Sequence, residues 1–330
     1  MSKSTAARAL AGAQSISAEA RERVLAAALA LGYERNHLAA GMRSGRSGLL
    51  GLIIPDISNP FWTEVTRGAQ DRAAAADLSL MVMSSDWDAA AEARHLRALR
   101  RARVDGAVIN PVSDHVADLP GAGMPVVLIG SAAEAFAGIP SVGSDIPQAV
   151  TLGMDFIVSK GHFMPDLILG PPSRLARTRL VNVVHRHCVA RDLDPADLAM
   201  ESADYTVEGG RAAMHRLLAR RGRGHRCVFA ANDMMALGAL MALHEAGVHC
   251  PRDVSVLGFD GSPIGACSAP QLTTIAKPAR EIAARAVEML VARIEGGAGQ
   301  GSAEARVHLP GRLVERGSVA DLAAAVRRRA

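Results

Sequence analysis

An α/β chain of two doubly wound parallel sheets, led by a small all-α segment, is what this sequence predicts. From Leu49 onward short apolar runs alternate with helical patterns, and at Asp166 the series starts again. The chain has 330 residues and 49% hydrophobic content, enough to bury two cores and too apolar for a disordered polymer.

The stretch MSKSTAARALAG reads as a short helix with Ser2 as its cap and Gly12 as its stop. Lys3, Ser4 and Arg8 fall on one face, and Thr5, Ala6, Ala9 and Leu10 on the other. A helix this short is unstable alone in water, so its apolar face needs a partner. SAEARERVLAAALALGY (17–33) supplies a second helix, with Ser17 as N-cap, Glu19 in the first turn, Val24, Ala28 and Leu31 on one stripe, and Gly32 as the stop. NHLAAGMRSGRSG (36–48) then has the glycine, serine and arginine content of a mobile connection that reaches phosphates, although any such linker reads the same way.

The strands of the first unit are LLGLIIPD (49–56), LSLMVMSS (78–85), DGAVINPV (105–112), PVVLIG (125–130) and SVGSD (141–145). Those of the second are DLILGPP (166–172), LAMES (198–202), RCVFAAND (226–233) and DVSVLGFD (253–260), with helices between them such as 212–221 and 236–246. Two like units in tandem place their strand ends around a shared cleft, where open α/β sheets bind ligands. Those ends carry Asp56 with Asn59, Ser85 with Asp86, Asn110, Asp145, residues 170–173, Asn232 with Asp233, and Asp260. With Phe61 and Trp62 nearby, this ring suits a polar small molecule hydrogen-bonded at its edges and stacked on an apolar face. The alternative reading is that each Asp or Asn simply caps the helix after its strand.

The net charge of +4 permits a polyanionic partner without requiring one. Cys188, Cys227, Cys250 and Cys267 form no C-x-x-C pair, so zinc and redox motifs are not expected and reduced cytoplasmic thiols are. No apolar run approaches the roughly 20 residues of a membrane span, and the start lacks a signal-peptide apolar stretch. A cytoplasmic chain without membrane contact is therefore expected. GGAGQGS (296–302) follows a helix and lacks dinucleotide-loop spacing; there is no Walker loop and no G-x-S-x-G elbow. His185 and His187 point to different sides of a helix, which disfavours a metal pair. No cofactor, metal or catalytic machinery is expected.

These pieces together resemble the LacI/GalR family of bacterial transcription regulators from Ser2 to about Ser318. The resemblance is carried by STAARAL, ERVLAAALALGY, GLIIPDISNPFW, RARVDGAVINP, GIPSVGSD, VFAANDMMALGALMAL, PRDVSVLGFDGSPIGACSAPQLTTIAKPA and LPGRLVERGS, in that order. It implies a partial helix-turn-helix headpiece over 1–35, a hinge over 36–48, a periplasmic-binding-protein-like core of two interleaved subdomains over 49–318, and a tail over 319–330. It also implies a homodimer on double-stranded operator DNA, controlled by a small-molecule effector such as a carbohydrate.

Carried over by position, the resemblance assigns DNA contacts to Lys3, Ser4, Thr5 and Arg8, the helix cap to Ser2, and further contacts to His37 and Arg43 in the hinge. Met42 stands where the family wedges an apolar side chain into the minor groove. Effector contacts fall to Phe61, Trp62, Arg177, Asn232 and Asp260, and to Asp86, Asp145 and Gln148. Lys277 stands where the family usually has Gln, and a cation there favours an acidic effector unless the side chain snorkels to solvent.

Other departures are Arg35 in place of Pro, Gly41 inside the hinge, and the missing helix and turn, on the order of a dozen residues, that precede the capping serine in the family. The expectation is an upstream start supplying that helix, contradicted by a native mass matching residues 1–330. An exported ligand-binding protein and an enzyme on paired α/β units are the competing readings; the missing export signal speaks against the first, the missing catalytic signature against the second. The tail is too short for a sustained heptad zipper.

Overall fold

The computed structural model describes residues 2–10, 15–31, 46–112, 124–130, 136–221, 226–296 and 306–327. The chain divides into an N-terminal unit, Met1–Leu49, and a core, Leu50–Ala330.

In the N-terminal unit, α1 (Lys3–Leu10) and α2 (Ala18–Ala30) pack on each other, with Ala9 and Val24 buried. Ser2 Oγ accepts the Thr5 amide at 3.1 Å, and Ser17 Oγ accepts that of Ala20 at 3.3 Å. Each hydroxyl satisfies an amide that the first helical turn leaves unpaired. The apolar face of α1 thus finds its partner in α2. Leu31 departs from the expected stripe: it lies one residue beyond the helix and is exposed, as are Leu25 and Leu29. The stops expected at Gly12 and Gly32 and the hinge residues His37, Gly41, Met42 and Arg43 lie outside the described residues.

The core holds two six-stranded sheets. The first contains β1 (Leu49–Ile54), β2 (Ser79–Ser84), β3 (Gly106–Ile109), β4 (Val126–Ile129), β5 (Ser141–Ser144) and β11 (Arg306–Leu309), in the order β11-β5-β4-β3-β1-β2. The second contains β6 (Asp166–Leu169), β7 (Met200–Ser202), β8 (Arg226–Ala230), β9 (Val254–Asp260), β10 (Thr273–Ala276) and β12 (Arg312–Val314), in the order β12-β10-β9-β8-β6-β7. Wherever register is described the pairs are parallel, apart from the antiparallel β10 and β12. Parallel strands are covered on both faces, which is why β1, β3, β4 and β9 read as near-continuous apolar runs.

The nine predicted strands are present, but the lobes are not tandem. The chain leaves β5 for α5 (Ile146–Ser159), whose Ala149, Val150 and Met154 join the core of the second sheet. It returns from β10 through α9 (Ala279–Gly296), whose Ile282, Ala286 and Leu290 pack under the first sheet beside α3 (Pro60–Ala74). β11 then completes the first sheet and β12 the second. Three strands escape sequence reading: RVHL and RLV because each is a short, half-exposed edge strand with no apolar run, and the buried TTIA of β10 because two of its four residues are threonines. The remaining helices are α4 (Ala89–Arg101), α6 (Leu175–Val189), α7 (Val207–Arg221), α8 (Asp233–Glu245) and α10 (Leu322–Arg327). The short α10 is tied down where the Leu322 amide donates to Lys160 O at 2.8 Å.

Candidate functional site

A cavity lies between the two sheets of the core, and β1 to β10 each contribute to it a residue at or after the strand's C-terminal end. Asn59, Trp87, Asn110, Gly130 and Ser144 come from the first lobe; Arg174, Arg177, Tyr205, Asn232 and Asp260 come from the second, and Lys277 from the crossing strand after β10. Its volume is about 140 Å³. That is close to the roughly 150 Å³ of a cavity that takes one benzene ring.

On the first lobe, Asn59 caps α3 by accepting the Phe61 amide at 3.0 Å, and Pro60 opens the helix. Phe61 and Trp62 are therefore held in the first turn, edge to face with centroids 5.1 Å apart. After β2 the chain passes through two left-handed residues, Asp86 (φ 50°) and Trp87 (φ 60°), before Asp88 caps α4. Left-handed backbone is costly outside glycine and needs surrounding support. Tyr205, on the second lobe, is left-handed as well at φ 71°. The Trp87 and Tyr205 rings stack across the cleft at 5.3 Å, 24° from parallel. The tyrosine ring lies against Gly170, where a Cβ would sit 2.0 Å from the ring carbon Cζ, so a side chain there displaces the ring. Burial pushes the Tyr205 hydroxyl up to about 12.

Three cations line the cavity. Arg174 at the start of α6 donates from Nη1 to Val112 O across the cleft, and its guanidinium lies 4.6 Å from the Trp87 ring centre. Arg177, one turn later, donates from Nη1 to Gly170 O at 2.7 Å and to Ser202 Oγ at 2.8 Å. Lys277 Nζ lies 2.5 Å from Asp260 Oδ1 and 4.0 Å from the Phe61 ring centre. Burial pushes the Asp260 carboxyl up, and the lysine beside it pulls the other way. Behind the wall, Asp233 is fully buried; its carboxylate accepts from Thr274 Oγ1 and from the Ser262 amide, each at 2.6 Å. Burial, reinforced by the charge of Asp260, pushes it up to about 7 against the two hydrogen bonds.

Residues 154–319 match the model of a periplasmic binding protein-like domain. The chain is 30% identical over 294 residues to catabolite control protein A of Priestia megaterium, covering 88% of each protein. Its structure matches that of the Lac repressor dimer bound to operator and the anti-inducer ONPF with a TM-score of 0.84 and 26% identity, over 97% of this chain and 96% of the other. A LacI-family regulator from Enterococcus faecium with bound ribose matches with a TM-score of 0.73 and 25% identity, over 83% and 99%. This chain belongs to the LacI family.

It is accordingly a DNA-binding transcription regulator and not an enzyme. Among the described residues, no helix is long and apolar enough to cross a membrane, and no group of three or more His, Cys, Asp or Glu is placed to hold a metal ion.

Of the effector contacts expected for this LacI-family chain, the structure brings Phe61, Trp62, Arg177, Asn232, Asp260 and Lys277 to the cavity. Asn232 comes with its amide engaged: Oδ1 accepts the Met235 amide at 2.8 Å and Nδ2 donates to Tyr205 O at 2.9 Å. Lys277 does not snorkel to solvent; it is mostly buried and paired. Three expected contacts lie elsewhere. Asp86 is exposed and accepts from Ser84 Oγ at 2.6 Å, because its left-handed backbone carries it away from the cleft. Asp145 caps α5 by accepting the Gln148 amide at 2.9 Å, and Gln148 spends its side chain on the Gly311 peptide, 2.8 Å from its nitrogen and 3.3 Å from its oxygen. Both serve the crossing between lobes.

Sequence reasoning missed Trp87, Arg174 and Tyr205. Aromatic scarcity was the available signal: ten of the 330 residues are Phe, Trp or Tyr, and five of those ten line this cavity. In the N-terminal unit, Ser2 and Arg8 are exposed and Thr5 is half-buried; Lys3 and Ser4 lie on α1 with side chains outside the described set.

Proposed function

We propose that this regulator is a homodimer that grips duplex operator DNA through its N-terminal unit and hinge and is controlled by a sugar or sugar acid held between the core lobes. The observation that carries this reading is the convergence of ten strand ends on one cavity with aromatic faces and polar edges, the arrangement that recognises a small polyhydroxylated ring. The ribose-bound relative and the operator-bound Lac repressor dimer support it. A protein that acts on chromosomal DNA works in the cytoplasm.

In this reading Phe61 and Trp62 give the ring an apolar face, while Arg177, Asn232, Asp260 and Lys277 surround its oxygens. Lys3, Ser4, Thr5 and Arg8 read the operator from α1 with Ser2 as cap, and His37, Met42 and Arg43 act from the hinge, Met42 as the minor-groove wedge. The ligand alters DNA binding only through a difference in its affinity for two states of the core. Closure of the lobes supplies two such states.

A thermal-shift screen of monosaccharides and sugar acids tests the assignment on the wild type and on Asp260→Ala. The expected result is a compound that raises the melting temperature of the wild type and loses most of that effect in the variant. A compound that stabilises both proteins equally places the effector somewhere else.

A further inference from the structure

Arg174 of the second lobe meets the first lobe at two points. It donates through Nη1 to Val112 O, and its guanidinium lies 4.6 Å from the Trp87 ring centre. Trp87 follows β2 and Val112 follows β3, so the two points belong to separate strand ends. The first turns of α4 fix both. Asp88, the residue after Trp87, caps that helix by accepting the Ala90 and Ala91 amides at 2.9 and 3.1 Å. One turn on, Glu92 Oε2 accepts the Val112 amide at 2.9 Å.

Val112 is buried and lies beyond the end of β3, where no strand ladder serves its amide. A buried amide needs an acceptor, and Glu92, itself only 3% exposed, supplies it. The bond serves both groups, because a buried carboxylate is unfavourable without a donor. Burial pushes the Glu92 carboxyl up, while the Val112 amide and then the charge of Arg174 pull it down. Glu92 and Arg174 therefore hold one residue from opposite lobes, the first at its amide and the second at its carbonyl.

Resting on the lobe closure proposed above, we infer that Glu92 is a positioning residue for that closure: by holding the Val112 amide, it sets the Val112 carbonyl as the catch that Arg174 engages from the second lobe. Neither Glu92 nor Val112 lines the cavity, so the catch acts without touching an effector. Its effect is on the population of the closed arrangement, in which Trp87 and Tyr205 stack. An effector that binds this arrangement loses apparent affinity in proportion to the closed fraction that is lost.

Acrylamide quenching of Trp87 fluorescence on the full chain tests this, in a Trp62→Phe background that removes the other of the two tryptophans. Glu92→Met removes the acceptor at nearly constant length, Glu92→Gln keeps one, and Arg174→Gln removes the guanidinium; circular dichroism checks folding. The quenching constant is expected to rise at least about twofold in Glu92→Met and in Arg174→Gln, to stay near the background value in Glu92→Gln, and to rise no further when Glu92→Met and Arg174→Gln are combined. Unchanged quenching in Glu92→Met or in Arg174→Gln overturns the inference. So does an additive rise in the combined variant, the result of a Glu92 that only supports α4, and so does a rise in Glu92→Gln as large as in Glu92→Met. Should Glu92→Met not fold, amide hydrogen exchange decides: Val112 in the wild type and in Glu92→Gln is expected to exchange about tenfold or more slowly than a free amide, and exchange at the free rate in either overturns the inference. No arm contains an effector, so failure here leaves the carbohydrate reading to the thermal-shift screen.

Discussion

Asp233 shows how one side chain in this core takes a role that its position in the sequence does not announce. It follows β8 directly, where a carboxylate is expected to face ligand, yet it is fully buried and holds Thr274 and the Ser262 peptide behind the cavity wall. With its carboxyl pushed up to about 7 from an ordinary value of 3.8, the folded state holds a proton that the unfolded chain has already released between those two values. Stability linked to this group is therefore fully present below about pH 4, falls as pH rises toward about 7, and is constant above. Urea denaturation of the wild type and Asp233→Asn from pH 4 to pH 8 should show the wild type losing on the order of a few kcal/mol relative to the variant across that window. Parallel curves would mean that Asp233 is ionised throughout. The reason Asp233 and Asp145 read as ligand-facing is the same in both cases: polarity at a strand end is visible in a sequence, but which way the side chain turns is set by the backbone it must satisfy. Arg174 and Trp87 were illegible for the converse reason, since their significance depends on a neighbour from the opposite lobe.

Most strands were legible in proportion to the apolar surface they bury, the exception being the fully buried β10, half of whose residues are threonine. β1, β8 and β9 announce themselves as buried runs, whereas β11 and β12 exist because a neighbouring strand offers them an edge. The α3–α9 pair, which brings the returning chain back under the first sheet, depends on one glycine. A Cβ on Gly68 would lie 2.4 Å from the backbone oxygen of Arg280, so any other residue separates the helices. Ion pairs from Arg280 to Glu64 at 2.6 Å and from Arg72 to Glu288 at 3.2 Å flank the contact, but they are partly exposed and contribute little. Gly68→Ala is expected to cost about 1–3 kcal/mol, read as a lower urea midpoint at unchanged slope. An unchanged midpoint would mean that the helices separate without penalty. Because α3 carries Asn59, Phe61 and Trp62, the same variant should also weaken effector binding.

In the molecule as a whole, two lobes share three chain crossings, and the cavity between them is bridged by side chains from both. Trp87 meets Tyr205, Arg174 meets Val112, and Lys277 joins Phe61 of one lobe to Asp260 of the other. A ligand that favours this arrangement shifts the population of the core, and where DNA distinguishes the two populations the ligand changes DNA affinity by the same factor as DNA changes ligand affinity. The most direct test is a fluorescence-anisotropy titration of the full chain on a duplex selected from a random library, with and without a saturating compound from the thermal-shift screen, in the wild type and in Arg174→Gln. The compound is expected to change the operator Kd of the wild type by about 5–150-fold and that of the variant far less. An operator Kd that is identical with and without a compound proven to occupy the cavity would contradict it.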